Sequence, residues 1–313
     1  MDLEVSSDSF DPGMILKNIP WQGAAAFDAK LTGPCSDPAV TGTVRVGDGA
    51  FCGVPVRSAS AQVRYQDGNV FVQKLHAGIC GGTVDGEAAV AASSLAYTAH
   101  IKASGIDLSQ AADYVPELSD LSGRAAADIG LSGVGTGRDE LQVYGSLSLS
   151  DGAYRSVPVE SLSTSFYLAD DNLVLDFLSM NLPGRSRLGI EGTISSVMTH
   201  PVLDLAYYGA HFDLSLLSQW IPDADVTGIG DFKGTVHGEA SNPQVDIKFS
   251  GLKGTLFKQP FDSLKLAASG SLDGVGIDDF LMECGGREVW RVAGTVGFTG
   301  DRRINLQIDT YIF

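Results

Sequence analysis

The chain has little positive charge and no long apolar run. Its 313 residues include 21 Lys and Arg against 38 Asp and Glu, a net charge of −17, and its densest basic groups are only pairs of arginines. Binding to nucleic acid or to an anionic membrane surface requires clustered cations, so this composition argues against both partners. No stretch of 18 apolar residues occurs, so the sequence predicts no membrane-spanning helix.

Motifs for catalysis, cofactors and metals are also missing. The five histidines are scattered, and there is no C-x-x-C, H-E-x-x-H, G-x-S-x-G or phosphate-binding P-loop. Gly133, Gly135 and Gly137 resemble a phosphate loop, but no helical pattern follows them, which favours a hairpin loop. We therefore expect no catalytic residue, no metal, no cofactor and no enzymatic activity.

Four cysteines are present, at positions 35, 52, 80 and 284. Cys80 and Cys284 occur in similar contexts, GICGG and MECGG, too far apart along a repeat array to pair. Cys52 and Cys80 could bond if their strands adjoin, although free buried thiols are the favoured interpretation.

Two sequence anchors recur with a period of about one hundred residues. Asp11, Asp107 and Asp213 each precede a short apolar stretch and a proline nine residues later; the aspartates are 96 and then 106 residues apart. The second anchor reads DGAFCGVP, DGAYRSVP and KGTLFKQP at 48–55, 151–158 and 253–260. Repetition at a fixed period predicts a modular, elongated chain in which function lies along a surface.

These anchors divide the sequence into repeats within one elongated unit. The chain begins and ends at nearly the same phase of the repeat, so we expect it to be a middle segment of a longer protein. The predicted division is 1–10 as the end of a preceding repeat, 11–106, 107–212 and 213–308 as three repeats, and 309–313 as the start of another.

Most of each repeat alternates between apolar and polar residues. In 245–250, for example, Val245, Ile247 and Phe249 alternate with polar residues. This period predicts strands with one apolar and one polar face. Turn signals such as Asp67-Gly68, Asp85-Gly86 and Asp170-Asp171 occur roughly every ten residues, predicting seven or eight strands per repeat and about 22 in all.

The one helical pattern is the segment that follows each repeat aspartate. Asp107 is a suitable N-cap with Gln110 three residues later, and Pro12 follows Asp11 at a first helical position. The prolines nine residues after each aspartate should end the helix, giving about two turns per repeat.

The predicted fold is therefore all-β with a short helix per repeat. Separate sandwiches would need linkers, and no linker composition appears at the repeat boundaries. We predict one long, continuous, mostly antiparallel twisted sheet. Because long twisted sheets curl, the sheet should form a trough with an apolar concave face and a helix at one rim.

The recurrent 48–60 and 151–163 segments, the glycines at 81–86 and the stretch GIDLSQAADYVPELSDLSGRAAADIGLSG (105–133) resemble the TamB / AsmA-like family of the diderm bacterial envelope. The resemblance covers essentially the whole chain, although Lys253 departs from the D-G-A anchor. It implies a periplasmic bridge whose β-groove carries phospholipid between the inner and outer membranes. It also implies, in the full-length protein, an inner-membrane anchor and a C-terminal end at the outer membrane with an Omp85-type barrel as a partner.

The alternation selects residues that should line this groove and contact phospholipid acyl chains. An outer-membrane protein assembly factor that binds strands at its sheet edges, and a passive spacer with a sealed apolar face, remain as alternatives. The predicted groove residues are Val44, Val46, Val63, Tyr65, Tyr97, Ile101, Val143, Leu147, Leu149, Phe166, Leu168, Leu188, Ile190, Leu205, Tyr207, Val245, Ile247, Phe249, Leu264, Leu266, Trp290, Val292, Val296 and Phe298.

Overall fold

A computed structural model describes residues 2–12, 21–34, 37–135, 137, 140–219, 225–299 and 303–310. Nearly all of them belong to strands of one antiparallel sheet, which confirms the predicted all-β fold. The strands are β1 (Asp2–Phe10), β2 (Trp21–Gln22), β3 (Ala25–Thr32), β4 (Ala39–Phe51), β5 (Val54–Gln66), β6 (Asn69–Ile79), β7 (Gly82–Ala91), β8 (Ala96–Asp107), β9 (Leu121–Val134), β10 (Gln142–Tyr154), β11 (Val157–Ala169), β12 (Asn172–Asn181), β13 (Arg187–Ser195), β14 (Val202–Asp213), β15 (Val226–Glu239), β16 (Gln244–Leu256), β17 (Gln259–Ser271), β18 (Gly274–Cys284), β19 (Arg287–Gly297) and β20 (Ile304–Thr310).

The chain divides into two compact units, unit 1 (1–155 and 167–170) and unit 2 (156–166 and 171–313). In unit 1, β1 pairs with β3, β2 and β3 pair with β4, and each later strand pairs with its successor as far as β10. In unit 2, each strand from β12 to β20 pairs with its successor. Each unit is therefore a meander in which sequence neighbours are spatial neighbours.

The strands are longer and fewer than the turn signals predicted. Asp67 and Gly68 do form a two-residue turn, with φ of 50° and 71°. Asp85 and Gly86, in contrast, lie inside β7, where Asp85 is opposite His76. Within the described residues, the second and third predicted repeats contain six strands each, β9–β14 and β15–β20, so the expectation of seven or eight strands is wrong for them; the first contains seven, β2–β8.

The helical segments are shorter than expected. The carboxylate of Asp107 caps α1 (Leu108–Ala111) by accepting a hydrogen bond from the Ser109 N–H at 3.0 Å. The predicted cap is thus confirmed, but the helix has one turn, not two. Pro116 does not end it; instead it starts a separate 3₁₀ helix (Pro116–Leu118), since proline fits a first helical position.

In the described part of unit 2 there are two 3₁₀ helices, Pro183–Arg185 and Leu214–Gln219. The second begins like α1, because the Asp213 carboxylate accepts a hydrogen bond from the Ser215 N–H at 2.9 Å. The helix predicted after Asp11 lies outside the described residues beyond Pro12, as does the proline at 222.

In each unit a helical segment follows a strand at one side of the sheet. In unit 1, α1 follows β8, and in unit 2 the 3₁₀ helix at Leu214–Gln219 follows β14. We call that side the helical rim and the opposite side the open rim. The helical rim comprises strand ends at Phe51, Ile79, Asp107 and Tyr154 in unit 1 and at Asn181, Asp213, Leu256 and Cys284 in unit 2. The open rim comprises strand ends at Gln66, Ala91 and Val134 in unit 1 and at Ser195, Glu239, Ser271 and Gly297 in unit 2.

A close backbone contact recurs at the helical rim. A Cβ atom built on Gly123, whose φ is +118°, would lie 2.6 Å from the Cα of Gly152 in the neighbouring strand. Only glycine tolerates both this φ and this approach. The same contact recurs at Gly23 with Gly49 and at Gly228 with Gly254, so the DGA and KGT anchors supply the second glycine of each pair.

The three cysteines in the described residues are free thiols. Cys80 and Cys284 are half-buried, whereas Cys52 is exposed, because it occupies a two-residue turn with a φ of 50°. The expectation of buried thiols is therefore wrong for Cys52. Cys35 lies outside the described residues.

Candidate functional site: the apolar sheet faces

In unit 1, cross-strand register places uncharged residues on one face. One row of directly opposed residues crosses eight strands, from β3 to β10, without a charged or hydrogen-bonding side chain. Directly opposed residues share a face because side chains alternate along a strand. We call this the apolar face of unit 1; the row is Ala29, Gly42, Val63, Val72, Ala88, Ala99, Leu131 and Val143.

Unit 2 has a corresponding apolar face with larger side chains. Its row crosses nine strands, from β12 to β20, and each member except a single glycine is bulky and apolar. The adjacent row, on the polar face, includes Tyr208, Lys233 and Lys248 instead. The apolar row is Met180, Leu188, Gly209, Phe232, Phe249, Leu266, Phe280, Val292 and Ile308.

The structure brings most of the predicted groove residues onto these two faces. In unit 1 the register does so for Val44, Val46, Val63, Tyr65, Tyr97, Ile101, Val143, Leu147 and Leu149. In unit 2 it does so for Leu188, Ile190, Leu205, Tyr207, Val245, Ile247, Phe249, Leu264, Leu266, Trp290, Val292 and Val296.

The three other predicted residues are placed less directly. Phe166 and Leu168 lie half-buried in β11. Phe298 follows the end of β19, where its N–H donates to the Asp273 carbonyl, and its side chain is exposed.

Each apolar face contains a cavity. In unit 2 a cavity of about 440 Å³ is lined only by apolar side chains, drawn from β13 to β18 and from the 3₁₀ helix at the helical rim. In unit 1 a cavity of about 570 Å³ is lined mainly by apolar residues of β1 to β5, including Phe27, Val44 and Val63. Both are concave, apolar spaces suited to hydrocarbon.

Aromatic rings lie across glycines on the apolar face of unit 2. A Cβ atom built on Gly209 would lie 2.3 Å from the ring of Phe232, and one on Gly230 would lie 2.4 Å from the ring of Phe249. The Tyr207 ring crosses Gly234, and its hydroxyl donates to the Asp246 carbonyl at 2.9 Å. Glycine therefore lets these rings lie flat, so the face stays smooth and the one polar atom of Tyr207 is satisfied by hydrogen bonding.

On the apolar face of unit 2, side chains at the helical rim are more deeply buried than those in the middle of the face. Leu214 and Leu216 of the 3₁₀ helix are buried, as are Phe212, Phe261 and Met282 at the helical rim of unit 2. Towards the middle of the face Leu205, Ile247 and Val292 are only half-buried. Within the described residues of unit 2, the helical segments pack against β14 and β15 at the helical rim, and all the strands belong to one sheet.

Sequence reasoning missed several residues that line the unit 2 cavity. Phe232 lies in GDFKGTV, where the alternation is present but is obscured by glycines at the apolar positions. Phe212 and Leu217 flank or belong to the helical segment, and Phe257 occupies a two-residue turn, so the strand period could not identify them. Phe280 follows a β-bulge after Ile277, which shifts its phase.

The polar faces carry most of the electrostatic interactions. Asp128 accepts a hydrogen bond at 2.5 Å from the His100 ring and forms an ion pair with Lys102 at 3.1 Å. Hydrogen bonding by His100 and then Lys102 lowers the pKa of Asp128. On the apolar face, burial and then the Asp246 carboxylate raise the pKa of Tyr207, so its hydroxyl remains a donor.

In the described ranges, no group of three His, Cys, Asp or Glu side chains is arranged to hold a metal ion. No helix among those residues is long and apolar enough to cross a membrane. Comparison of the chain with protein-family models, with curated proteins and with solved structures finds no significant match. The fold and its two faces therefore define a class only: an antiparallel meander with a cavity-bearing apolar face in each unit.

Proposed function

We propose that the chain shelters phospholipid acyl chains along its apolar faces, as a segment of a bridge-like lipid transfer protein in the bacterial periplasm. The observation that carries the proposal is the unit 2 cavity, which is lined entirely by apolar side chains of a face that is half-exposed. Exposure of a row of apolar side chains that crosses nine strands is unfavourable in water unless those side chains contact an apolar partner.

The free energy gained by burying hydrocarbon is large for an acyl chain. Moving a ~16-carbon acyl chain from water to an apolar surface is favourable by about 10 kcal/mol, at ~0.8 kcal/mol for each CH₂ group. The uncharged rows in each unit offer many similar positions for such a chain. Many similar weak positions favour movement along the face, because no single position retains the ligand, while a charged head group can remain in water at the open rim.

The exposure of apolar side chains at the open rim also favours a lipid-binding function over that of a spacer with a sealed apolar face. At the helical rim of unit 2, Phe212, Phe261 and Met282 are buried by the chain itself, whereas Phe257 in the turn after β16 is exposed. At the open rim the side chains remain exposed and admit a ligand from solvent. The TamB / AsmA-like resemblance adds the periplasmic location and the inner- and outer-membrane partners to the proposal.

The test places one charge on the apolar face. Leu147 lies on that face opposite Ala127 and is 40% exposed, so Leu147→Arg can be accommodated without burying the charge in a packed core. In cells that depend on the full-length protein, we expect Leu147→Arg to impair the permeability barrier of the outer membrane. Leu147→Ala should have little effect because similar positions remain.

The matched control is Ser148→Arg, one residue further along β10 and on the polar face. It introduces the same charge at an exposed position but should leave the barrier intact. Normal barrier function in cells with Leu147→Arg, at wild-type protein levels, would rule out a lipid path along this face. Equal damage by Ser148→Arg would show that the effect is not specific to the apolar face.

A further inference from the structure

A second groove lies on the polar face of unit 1, opposite in side-chain direction to the apolar face. We propose that it binds a pyranose oligosaccharide, with Tyr144 as the stacking platform; this inference is independent of lipid binding. The groove has a volume of about 430 Å³ and extends from Phe71 in β6 to Tyr144 in β10. We call it the Tyr144 groove.

Small side chains in register form its floor. Ala89, Thr98 and Ser132 are directly opposed across β7, β8 and β9, and Gly130 is opposite Tyr144. Short residues between two aromatic side chains create a depression in an otherwise crowded face. Four strand steps separate β6 from β10, about 19 Å at ~4.8 Å per strand, which accommodates a chain of sugars better than a single one.

Tyr144 provides a flat and accessible ring. A Cβ atom built on Gly130 would lie 2.1 Å from the ring, so the ring lies flat over Gly130. The side chain is nevertheless 57% exposed, which leaves its outer surface open to a ligand. At the other end, the Arg64 guanidinium lies 4.6 Å from the ring centre of Phe71 and adds hydrogen-bond donors to that wall.

The groove also offers polar groups that the fold does not use. Within the described part of the chain, the side chains of Gln73, Glu87, Thr98 and Ser132 make no side-chain hydrogen bond or ion pair, although all four line the groove. His100, by contrast, is already bound to Asp128. The unused set comprises an amide, a carboxylate and two hydroxyls, which together can both donate and accept.

A pyranose chain suits this combination. The C–H face of a sugar ring is apolar and stacks on an aromatic ring, while its hydroxyls need mixed donors and acceptors at the edges. A peptide joining the sheet as an extra strand is disfavoured, because β7, β8 and β9 are each paired on both sides. The sparse positive charge of the chain disfavours a polyanion.

The experiment titrates the 313-residue chain with cellohexaose, maltohexaose and chitohexaose, followed by calorimetry and NMR. A pool of random heptapeptides serves as the competing ligand class. We expect one hexasaccharide to bind. Tyr144→Ala should weaken that binding at least about fivefold, since a stacking platform is lost, whereas Tyr144→Phe should retain most of it.

Tyr208→Ala is the matched control. The ring of Tyr208 lies across Gly189 in the same way and is 51% exposed, but it belongs to unit 2 and does not line the Tyr144 groove. It should leave binding within twofold of wild type, and thermal melts of both alanine variants identify any loss of folding. An acyl-chain probe should bind the Tyr144→Ala variant normally, which separates this site from the apolar face.

The outcomes are distinct. Loss of hexasaccharide binding with Tyr144→Ala but not with Tyr208→Ala supports the site. Binding of none of the three hexasaccharides at millimolar concentration overturns it, as does hexasaccharide binding that is insensitive to Tyr144→Ala. Tyr144-dependent binding of heptapeptides without hexasaccharide binding overturns the assignment of the ligand as a sugar chain.

Discussion

The two rims of unit 2 are ends of the same strands, yet several of their apolar side chains differ sharply in exposure. At the helical rim Phe212, Phe261 and Met282 are 3%, 2% and 0% exposed. At the open rim Phe298 and Ile304 are 49% and 70% exposed. Burial of these side chains is therefore greatest at the helical rim, where the 3₁₀ helix at Leu214–Gln219 packs against β15.

This difference indicates that one rim contributes mainly to the stability of the fold and the other to the accessibility of the apolar face. Burial of apolar area provides most of the favourable free energy of folding, so the helical rim should hold much of the stability. The open rim and the middle of the face contribute less and remain accessible. Substitutions that are chemically identical at the two rims should thus have unequal effects.

The largest expected effect is the loss of a buried phenylalanine. Phe261→Ala should lower the free energy of unfolding by about 3–5 kcal/mol, because it removes a packed ring and leaves a cavity. Phe298→Ala, with about half of its ring already in water, should cost about 1 kcal/mol or less. Urea unfolding of both variants measures the difference, and equal costs would refute the distinction between the rims.

A second pair of substitutions tests the backbone of unit 1. Gly123→Ala at the helical rim must place a Cβ 2.6 Å from the Cα of Gly152, in addition to adopting an unfavourable φ. Gly135→Ala at the open rim also has a positive φ, +65°, but its Cβ would meet no atom within 4 Å. We expect about 2–4 kcal/mol of destabilisation for Gly123→Ala and about 1–2 kcal/mol for Gly135→Ala.

The close contact between Gly123 and Gly152 should be the reason why Gly123→Ala is more destabilising than Gly135→Ala. If thermal or urea unfolding shows the same loss for both variants, φ strain alone explains the result and the close approach of the two strands has no energetic role.

A smaller effect is expected from the cap of α1. Asp107→Ala removes the acceptor for the Ser109 N–H and should cost about 1 kcal/mol. Asp107→Asn keeps an acceptor oxygen and should cost only a few tenths of that amount. Hydrogen exchange of the 108–111 amides reports the local effect; unchanged protection in Asp107→Ala would show that tertiary packing alone holds the turn.

The smallest effect lies on the polar face of unit 1, away from both rims. Because hydrogen bonds from His100 and Lys102 lower the pKa of Asp128 in the folded state, its ionised form stabilises the fold above the ordinary carboxyl pKa of about 4. That contribution should be lost as pH falls through the lowered pKa. Asp128→Asn should therefore be less stable than wild type at pH 6, with the difference narrowing below about pH 4.

Melting temperatures across pH 2.5 to 7 measure this dependence. Glu87→Gln is a suitable control, since Glu87 forms no ion pair in the described residues. A difference between wild type and Asp128→Asn that stays constant across the pH range would exclude linkage through this carboxylate.

The alternation of residues predicted the strands and faces well. Along β16, Val245, Ile247 and Phe249 lie on the apolar face as predicted, because burial on one side of a sheet imposes a strict period of two. The prediction was less accurate wherever the backbone departs from that period. Phe280 after a bulge, and Leu217 in a 3₁₀ helix, both line the unit 2 cavity and neither follows the alternation.

Turn chemistry predicted some connections and misassigned others. Asp67-Gly68 and Asp170-Asp171 form two-residue turns with positive φ. Asp85-Gly86 has the same Asp-Gly sequence as the first of these but lies within β7. A local signal could not distinguish these, since Asp85 is held in the sheet by its cross-strand contact with His76 at 2.7 Å. The Tyr144 groove was not predicted, because its residues come from five strands and converge only through register.

We propose that the apolar face holds acyl chains and that the opposite face does not. The most direct measurement is photo-crosslinking in cells from Tyr97 and Thr98, adjacent residues of β8 whose opposed partners, Gly133 and Ser132, place them on opposite faces. Each position carries the photoreactive amino acid in turn, and mass spectrometry identifies the adducts. We expect phospholipid adducts at position 97 and none at 98; protein adducts at 97, or no adducts at either position, would contradict acyl-chain binding by the apolar face.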